Sequence, residues 1–327
     1  MNFTRRGLVT ALALLAAGMS AASAQDRSYP TRPITIIVPW GAGNSTDIVT
    51  RRLGNLLTPR LGQPIIVDNR PGASGFMGTL RAARAPADGY TLLMASSGTH
   101  AAAVSLFTKL DFDPLKDFQP ISRVVSFPNV VIVGKSHPAR SIQEFVALAK
   151  AKPGTMSYAS TGTGNSVHLA AELFKAQTGT DLLNVPYKVT GTALVDVSAG
   201  RVDVMFANIQ VAYPQVEGGA MRALAVTGTA RSSILPNVPA LSGLGFPNYN
   251  VTSWMGLMGP TGMPQDIVRR LAHEVGEILV DPKFVEANLK EGSAMYGPDT
   301  PALFADFLRE EVIRWRDIIK TAGVKPE

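Results

Sequence analysis

Two near-copies of one five-residue phrase carry most of the chemistry legible in this chain. They are Gly41-Ala42-Gly43-Asn44-Ser45 and Gly162-Thr163-Gly164-Asn165-Ser166, each after an apolar strand-like run and before a helix-like one. Glycines let the backbone turn tightly and approach a guest without a Cβ in the way, while Asn and Ser are favoured helix N-caps. The helix that follows presents unpaired N–H groups and a partial positive charge to whatever lies in front of it. One copy alone reads equally well as a simple cap. Two copies, in separate candidate lobes, point to a pair of jaws around one anion.

Other chemistries fit less well. A dinucleotide-binding turn needs a third glycine, and the chain has Thr46 and Val167 there. Neither copy carries the lysine of a phosphate-binding loop. Ser97, His100, Ser166 and His168 fall at strand ends, but no Gly-x-Ser-x-Gly elbow occurs and no third group orients a base. His100, His137, His168 and His273 lack the spacing of zinc ligands. With no cysteine, thiol chemistry is excluded, and neither cofactor nor metal is expected.

The third residue after each Asn is Asp47 in the first phrase and His168 in the second. With Asn44 as cap, Asp47 completes a capping-box-like pair, and a bare carboxylate would repel an anionic guest. Asp47 is therefore read as a structural cap, the alternative being acceptance from an amine or hydroxyl of the ligand. His168 is open to two readings, donor to a ligand carboxylate or packed helix-start residue that holds its loop.

The elements that must position these loops alternate short apolar runs with longer helix-period segments, the pattern of α/β lobes on largely parallel sheets. Strands are expected at 34–38, 64–68, 90–95, 124–133, 156–160, 182–186, 202–206 and 222–227. Helices are expected at 47–57, 141–150, 168–177, 265–279 and 301–321, the second opened by Ser141 with Glu144 at capping-box spacing. Residues 69–75 read as a turn-rich loop opening another short helix. Pro128 interrupts its strand, and a change of lobe is expected there, with the Pro- and Gly-rich 236–247 as the return linker. The expected lobes are 25–126 plus 240–327, and 127–239. In the last helix Leu303, Phe304, Phe307, Leu308, Trp315, Ile318 and Ile319 form one apolar face, read as core packing.

Residues 1–24 read as an export signal: Arg5 and Arg6, an apolar run over 8–17, and Ala22-Ser23-Ala24 before Gln25. That run is about half of the roughly 20 residues a membrane span needs. The arginine pair fits the twin-arginine route as well as the general one. The formal net charge of +6 is scattered, with no basic run to track a nucleic acid, though a modest positive field assists capture of small anions. The remaining chain is long enough to bury two cores without disulfides, and a soluble mature protein is expected.

Further motifs run in order along the chain. Val38-Pro39-Trp40 leads into the first phrase, and Asp68-Asn69-Arg70-Pro71-Gly72-Ala73-Ser74-Gly75 and Ala87-Asp88-Gly89-Tyr90-Thr91-Leu92-Leu93 follow. Tyr158-Ala159-Ser160-Thr161 leads into the second, followed by Val185-Pro186-Tyr187-Lys188, Leu224-Ala225-Val226-Thr227 and Leu235-Pro236-Asn237-Val238-Pro239. Trp254-Met255-Gly256-Leu257, then Trp315 with Ala322-Gly323, complete the set. Together they resemble the solute-binding proteins of tripartite tricarboxylate transporters, the Bug family, over essentially the whole mature chain.

The resemblance implies a non-enzymatic periplasmic binding protein with a type II-like fold. Its two α/β lobes would each hold a mixed, mainly parallel sheet flanked by helices, with the ligand cleft between them. It implies a monomer that closes on a small organic carboxylate and delivers it to a permease of one large and one small membrane subunit. Backbone N–H groups, hydroxyls and bridging waters from both lobes would hold the carboxylate. On this chain the first loop supplies Trp40, Gly41, Ala42, Gly43, Asn44, Ser45 and Thr46. The second supplies Ser160, Thr161, Gly162, Thr163, Gly164, Asn165 and Ser166, with Ser97, His168 and Tyr187 as further candidates. Two departures, Asn44 and Val189 where the family tends to have glycine, put side chains into places that relatives leave open. A periplasmic enzyme acting on such acids and a ligand-sensing subunit for a membrane regulator are the alternatives.

Overall fold

The computed structural model describes residues 29–326, so the export segment expected at 1–24 lies outside the described residues. Of these, residues 32–326 form one compact unit. The chain enters its first sheet at β1 (Ile34–Val38), an apolar run buried almost throughout, as suits a parallel strand covered on both faces. α1 (Ser45–Leu61) follows, ended by Gly62 in the left-handed conformation at φ 67°. Next come β2 (Ile65–Asn69), a 3₁₀ turn at Ala73–Gly75, α2 (Phe76–Ala83) and β3 (Thr91–Ser96). β1 lies between β2 and β3, parallel to both. Beyond β3 the chain winds directly into a π-helical segment, Ser97–Ala102, continued by α3 (Ala103–Leu106).

β4 (Phe118–Gly134) is a single 17-residue strand, longer than the run expected from sequence. After it come α4 (Ile142–Ala151), β5 (Met156–Ser160), α5 (Ser166–Thr178), β6 (Leu182–Pro186), α6 (Thr190–Ser198), β7 (Val204–Asn208), α7 (Ile209–Glu217) and β8 (Met221–Val226). β5 pairs in parallel with β6 and β7. The chain then returns through β9 (Thr252–Pro260), α8 (Gln265–Leu279), α9 (Pro282–Leu289), β10 (Ala294–Met295) and α10 (Pro301–Ala322).

The strand order β2-β1-β3-β9-β4-β7-β5-β6 joins two mainly parallel half-sheets through the antiparallel strands β9 and β4. β4 changes partner along its length. From Phe118 to Pro128 it pairs with β9, and from Asn129 to Gly134 with β7 and β8. Pro128, which has no N–H to give to a ladder, falls where the partner changes. The architecture is α/β and two-lobed, with helices flanking both half-sheets.

β9 was not expected from sequence because Gly256, Gly259 and Pro260 break its pattern. Its glycines admit close neighbours: a Cβ on Gly256 would collide with the Phe304 ring, and one on Gly259 with the Met263 sulfur. α6, α7 and α9 were likewise unanticipated. α6 opens Thr190-Gly191-Thr192 and α7 contains Pro214, both poor local helix signals, whereas α9, only 8 residues long, does open on the cap Asp281 with Pro282 behind it.

One hydrophobic core runs through both halves, taking in Leu93, Phe174, Phe206, Trp254, Phe304 and Trp315. α10 buries Phe304, Leu308, Trp315 and Ile319 against it. Leu303, expected on that face, is instead 51% exposed, because it precedes Phe304 around the helix and turns to solvent. At the centre of α10, Glu311 accepts from the indoles of Trp254 (2.8 Å) and Trp315 (2.9 Å) and from Arg314 Nε (2.6 Å). Arg314 also donates to the Thr252 carbonyl at 2.8 Å, fixing α10 to β9. No helix among the described residues is long and apolar enough to cross a membrane.

Candidate functional site

The two glycine phrases fold alike. Asn44 accepts from the Asp47 N–H at 2.9 Å, and Asn165 accepts from the His168 N–H at 3.0 Å, so each caps its helix. Gly43 (φ 77°) and Gly164 (φ 80°) are both left-handed, a conformation glycine adopts without steric penalty. The Gly43 N–H donates to Asp47 Oδ2 at 2.9 Å, and the Gly164 N–H donates to His168 Nδ1 at 3.3 Å. Each loop is thus closed by the residue at the helix N3 position.

Asp47 is buried and pairs with Arg51 at 2.9 Å. Burial by itself would raise its pKa, but hydrogen bonds from Arg51 and the Gly43 N–H outweigh it and hold the carboxyl below its ordinary value. Asn69 braces the same loop, accepting from Arg51 at 2.9 Å and donating to the Trp40 carbonyl at 3.1 Å. His168 is also buried, and acceptance at Nδ1 places the neutral ring's proton on Nε2.

Between the loops lies a cavity of about 60 Å³, room for several waters. Five helix starts line it: Asn44 and Thr46 of α1, Ser96 and Ser97 of the π-helical segment, Asn165 and Ser166 of α5, Val189 and Thr190 of α6, and Asn208 of α7. Helix starts bring orphan N–H groups and partial positive charge, so the cavity favours an anion. Among the described lining residues only Lys188 is charged, and it is exposed. The recognition the site offers is dipolar.

Of the residues expected at the site, Trp40, Gly41, Ala42, Asn44, Thr46 and Ser97 line this cavity, as do Thr161, Asn165 and Ser166. Gly43, Ser45, Ser160, Gly162, Thr163 and Gly164 do not, and neither do His168 and Tyr187. The Tyr187 hydroxyl donates instead to Asp196 at 2.6 Å, and its N–H donates to the Ser160 carbonyl at 2.8 Å. The Ser45 hydroxyl is buried without a hydrogen-bond partner.

Several lining residues escaped the sequence reading. Ser253 on β9 sits with its hydroxyl 2.6 Å from that of Ser97, both buried. Phe127 and Met255, from β4 and β9, add apolar wall. Asn208 donates to Ser166 Oγ at 3.1 Å. The signal that could have found Ser253 and Met255 was the Trp254-Met255-Gly256-Leu257 motif, had it been recognised as a strand.

With this geometry in view, comparison with known proteins decides the family. Residues 49–324 match the tripartite tricarboxylate transporter family receptor. The chain belongs to that family. The receptor is 35% identical to the protein BugT of Bordetella pertussis over 99% of both chains. Among solved structures it is similar to an R. palustris protein determined with adipate, at 33% identity and a TM-score of 0.88, covering 91% of this chain and all of that one. MatC from Rhodopseudomonas palustris, with bound malate, is 32% identical with a TM-score of 0.85, covering 89% of this chain and all of MatC. The receptor is therefore a periplasmic-type solute-binding protein, and membership in a family of receptors removes the enzyme reading.

Proposed function

We propose that this protein captures one small organic carboxylate between its two lobes and hands it to a tripartite tricarboxylate-type permease with one large and one small membrane subunit. The observation that carries the reading is the convergence of five helix starts on one cavity where Lys188, the only charged residue among the described lining residues, is exposed. Such a site satisfies a carboxylate through N–H groups, hydroxyls and water without a buried cation, whose desolvation would be expensive. The carboxylates in the related R. palustris structures, adipate and malate, support the same ligand class.

In this reading Trp40, Asn44, Thr46, Ser97, Thr161, Asn165, Ser166 and Asn208, which line the cavity, contact the ligand or its waters, with backbone help from Gly41 and Ala42. Gly43, Gly164, Asp47, His168 and Tyr187 hold the loops in shape. The lobes are 25–126 plus 240–327, and 127–239; the partner change at Pro128 supports the boundary. A cavity of about 60 Å³ is below the several hundred typical of ligand pockets, which favours entry by opening of the lobes and capture by closure. The protein works as a monomer in the periplasm after loss of residues 1–24.

Thermal unfolding with a panel of mono-, di- and tricarboxylates and acidic amino acids tests the proposal. An acid at 100 times its dissociation constant stabilises by about 2.7 kcal/mol. A panel in which no acid shifts the melt, checked by calorimetry, removes the carboxylate-receptor reading.

A further inference from the structure

Asn129 is fully buried at the point where β4 exchanges β9 for β7 and β8. Its backbone is held there, its N–H donating to Thr227 Oγ1 at 2.8 Å and its carbonyl accepting from the Thr227 N–H at 2.9 Å. Thr227 in turn donates to the Val251 carbonyl at 2.7 Å, just before β9 begins. The two strands that link the lobes are therefore tied together at this residue.

The Asn129 side chain faces the ligand loops. Nδ2 donates to the Ser166 carbonyl at 2.9 Å, and Oδ1 accepts from Asn208 Nδ2 at 2.8 Å. Both partners line the cavity, whereas Asn129 does not. Asn208 also donates to Ser166 Oγ, so one amide fixes the backbone of the first residue of α5 and the direction of a second amide and a hydroxyl. A buried amide with donor and acceptor both used is a rigid reference, because any rotation leaves a polar group unpaired.

We propose that Asn129 is the positioning residue of this site, setting Ser166 and Asn208 toward the ligand and coupling their placement to the strands between the lobes. The proposal rests on the carboxylate-receptor reading. Hydrophobic packing at this point would hold the strands equally well, but it could not aim a hydroxyl and an amide at a guest.

The test is Asn129→Asp in the full chain, with adipate and malate as probes and calorimetry across about pH 5 to about pH 9. The substitution keeps the shape. In its protonated form the introduced carboxyl can donate to the Ser166 carbonyl and accept from Asn208, as the amide does. Ionised, it has no donor and adds negative charge behind an anion site. Burial raises its pKa, which brings the transition into the measured range. Its neighbours Ser166, Asn208 and Thr227 are neutral, and His168 and Lys188 are common to both chains, so they cancel in the ratio of variant to wild-type Kd.

That ratio should rise at least tenfold from the acid to the alkaline end. A ratio that stays near one across the whole range means that neither the donor nor the added charge matters, and overturns the positioning role while leaving the receptor reading intact. A wild-type chain that binds no member of the carboxylate panel overturns both. Should N129D fail to fold, crystal structures of the wild-type chain with and without bound acid decide the point. The two Asn129 side-chain bonds should persist with Ser166 or Asn208 touching the acid, and an acid that touches neither overturns the proposal.

Discussion

Asp47 and His168 perform one task with different chemistry. Each accepts the N–H of the second glycine of its loop and has its own N–H capped by the preceding Asn. The carboxylate does so with a negative charge balanced by Arg51, and the imidazole does so neutral. In both loops the N3 residue closes the turn, and neither Asp47 nor His168 lines the cavity.

Asp47→Asn keeps an acceptor for Gly43 but removes the charge paired with Arg51 and placed near the α1 start. The stability loss at pH 7 should be about 1 kcal/mol, the scale of a cap or helix-dipole interaction. The folded pKa of Asp47 lies below its ordinary 3.8, so its stabilisation is present above that value and fades as pH falls through the folded pKa. Urea titrations should show the wild-type advantage at pH 7 and a smaller one near pH 3. An advantage equal at both values would rule out the charge as its source. Carboxylate affinity should change by less than about threefold, since one pair at this distance perturbs binding by fractions of a kcal/mol.

Gly43 and Gly164 share a backbone conformation but not surroundings. A Cβ on Gly43 meets no atom within 4 Å, whereas one on Gly164 would stand 2.6 Å from Leu106 Cδ1. Gly43→Ala should therefore lose about 1 to 2 kcal/mol of stability, the strain of a left-handed non-glycine residue. Gly164→Ala should lose more, because Leu106 must also move. Both should weaken carboxylate binding by at least about tenfold, equivalent to about 1.4 kcal/mol. Paired urea and calorimetric titrations read the two effects, and normal binding by both variants would remove the anion cradle.

Glu311 accepts from two buried indoles and from Arg314 at the junction of α10 and β9. Glu311→Ala strands both indole N–H groups and the guanidinium, and should destabilise by about 3 to 5 kcal/mol, as breaking a buried ion pair does. A change under about 1 kcal/mol in urea unfolding would mean that water replaces the carboxylate.

The strands at 34–38, 156–160 and 182–186 were legible because β-branched and apolar runs between turn formers leave few alternatives, and the structure has them with the same bounds. The caps Asn44, Asn165 and Ser141 were legible because a cap bonds within three residues of itself. β9 was not, since its glycines take their meaning from Phe304 and Met263, which only the fold brings near. Part of the cavity lining was lost with it, because Ser253 and Met255 belong to β9.

The sequence by itself determined the two jaw loops, the helices behind them and the family motifs, all of which are written in local spacing. Only the tertiary structure decided that five helix starts meet at one cavity, that Ser97 faces Ser253, and that Asn129 joins Ser166 to Asn208. Those contacts join residues far apart in the chain, and their geometry is set by where β4 and β9 cross between the lobes. Backbone propensity acts over a few neighbours, while the direction of a buried hydroxyl or amide is fixed by every partner packed around it.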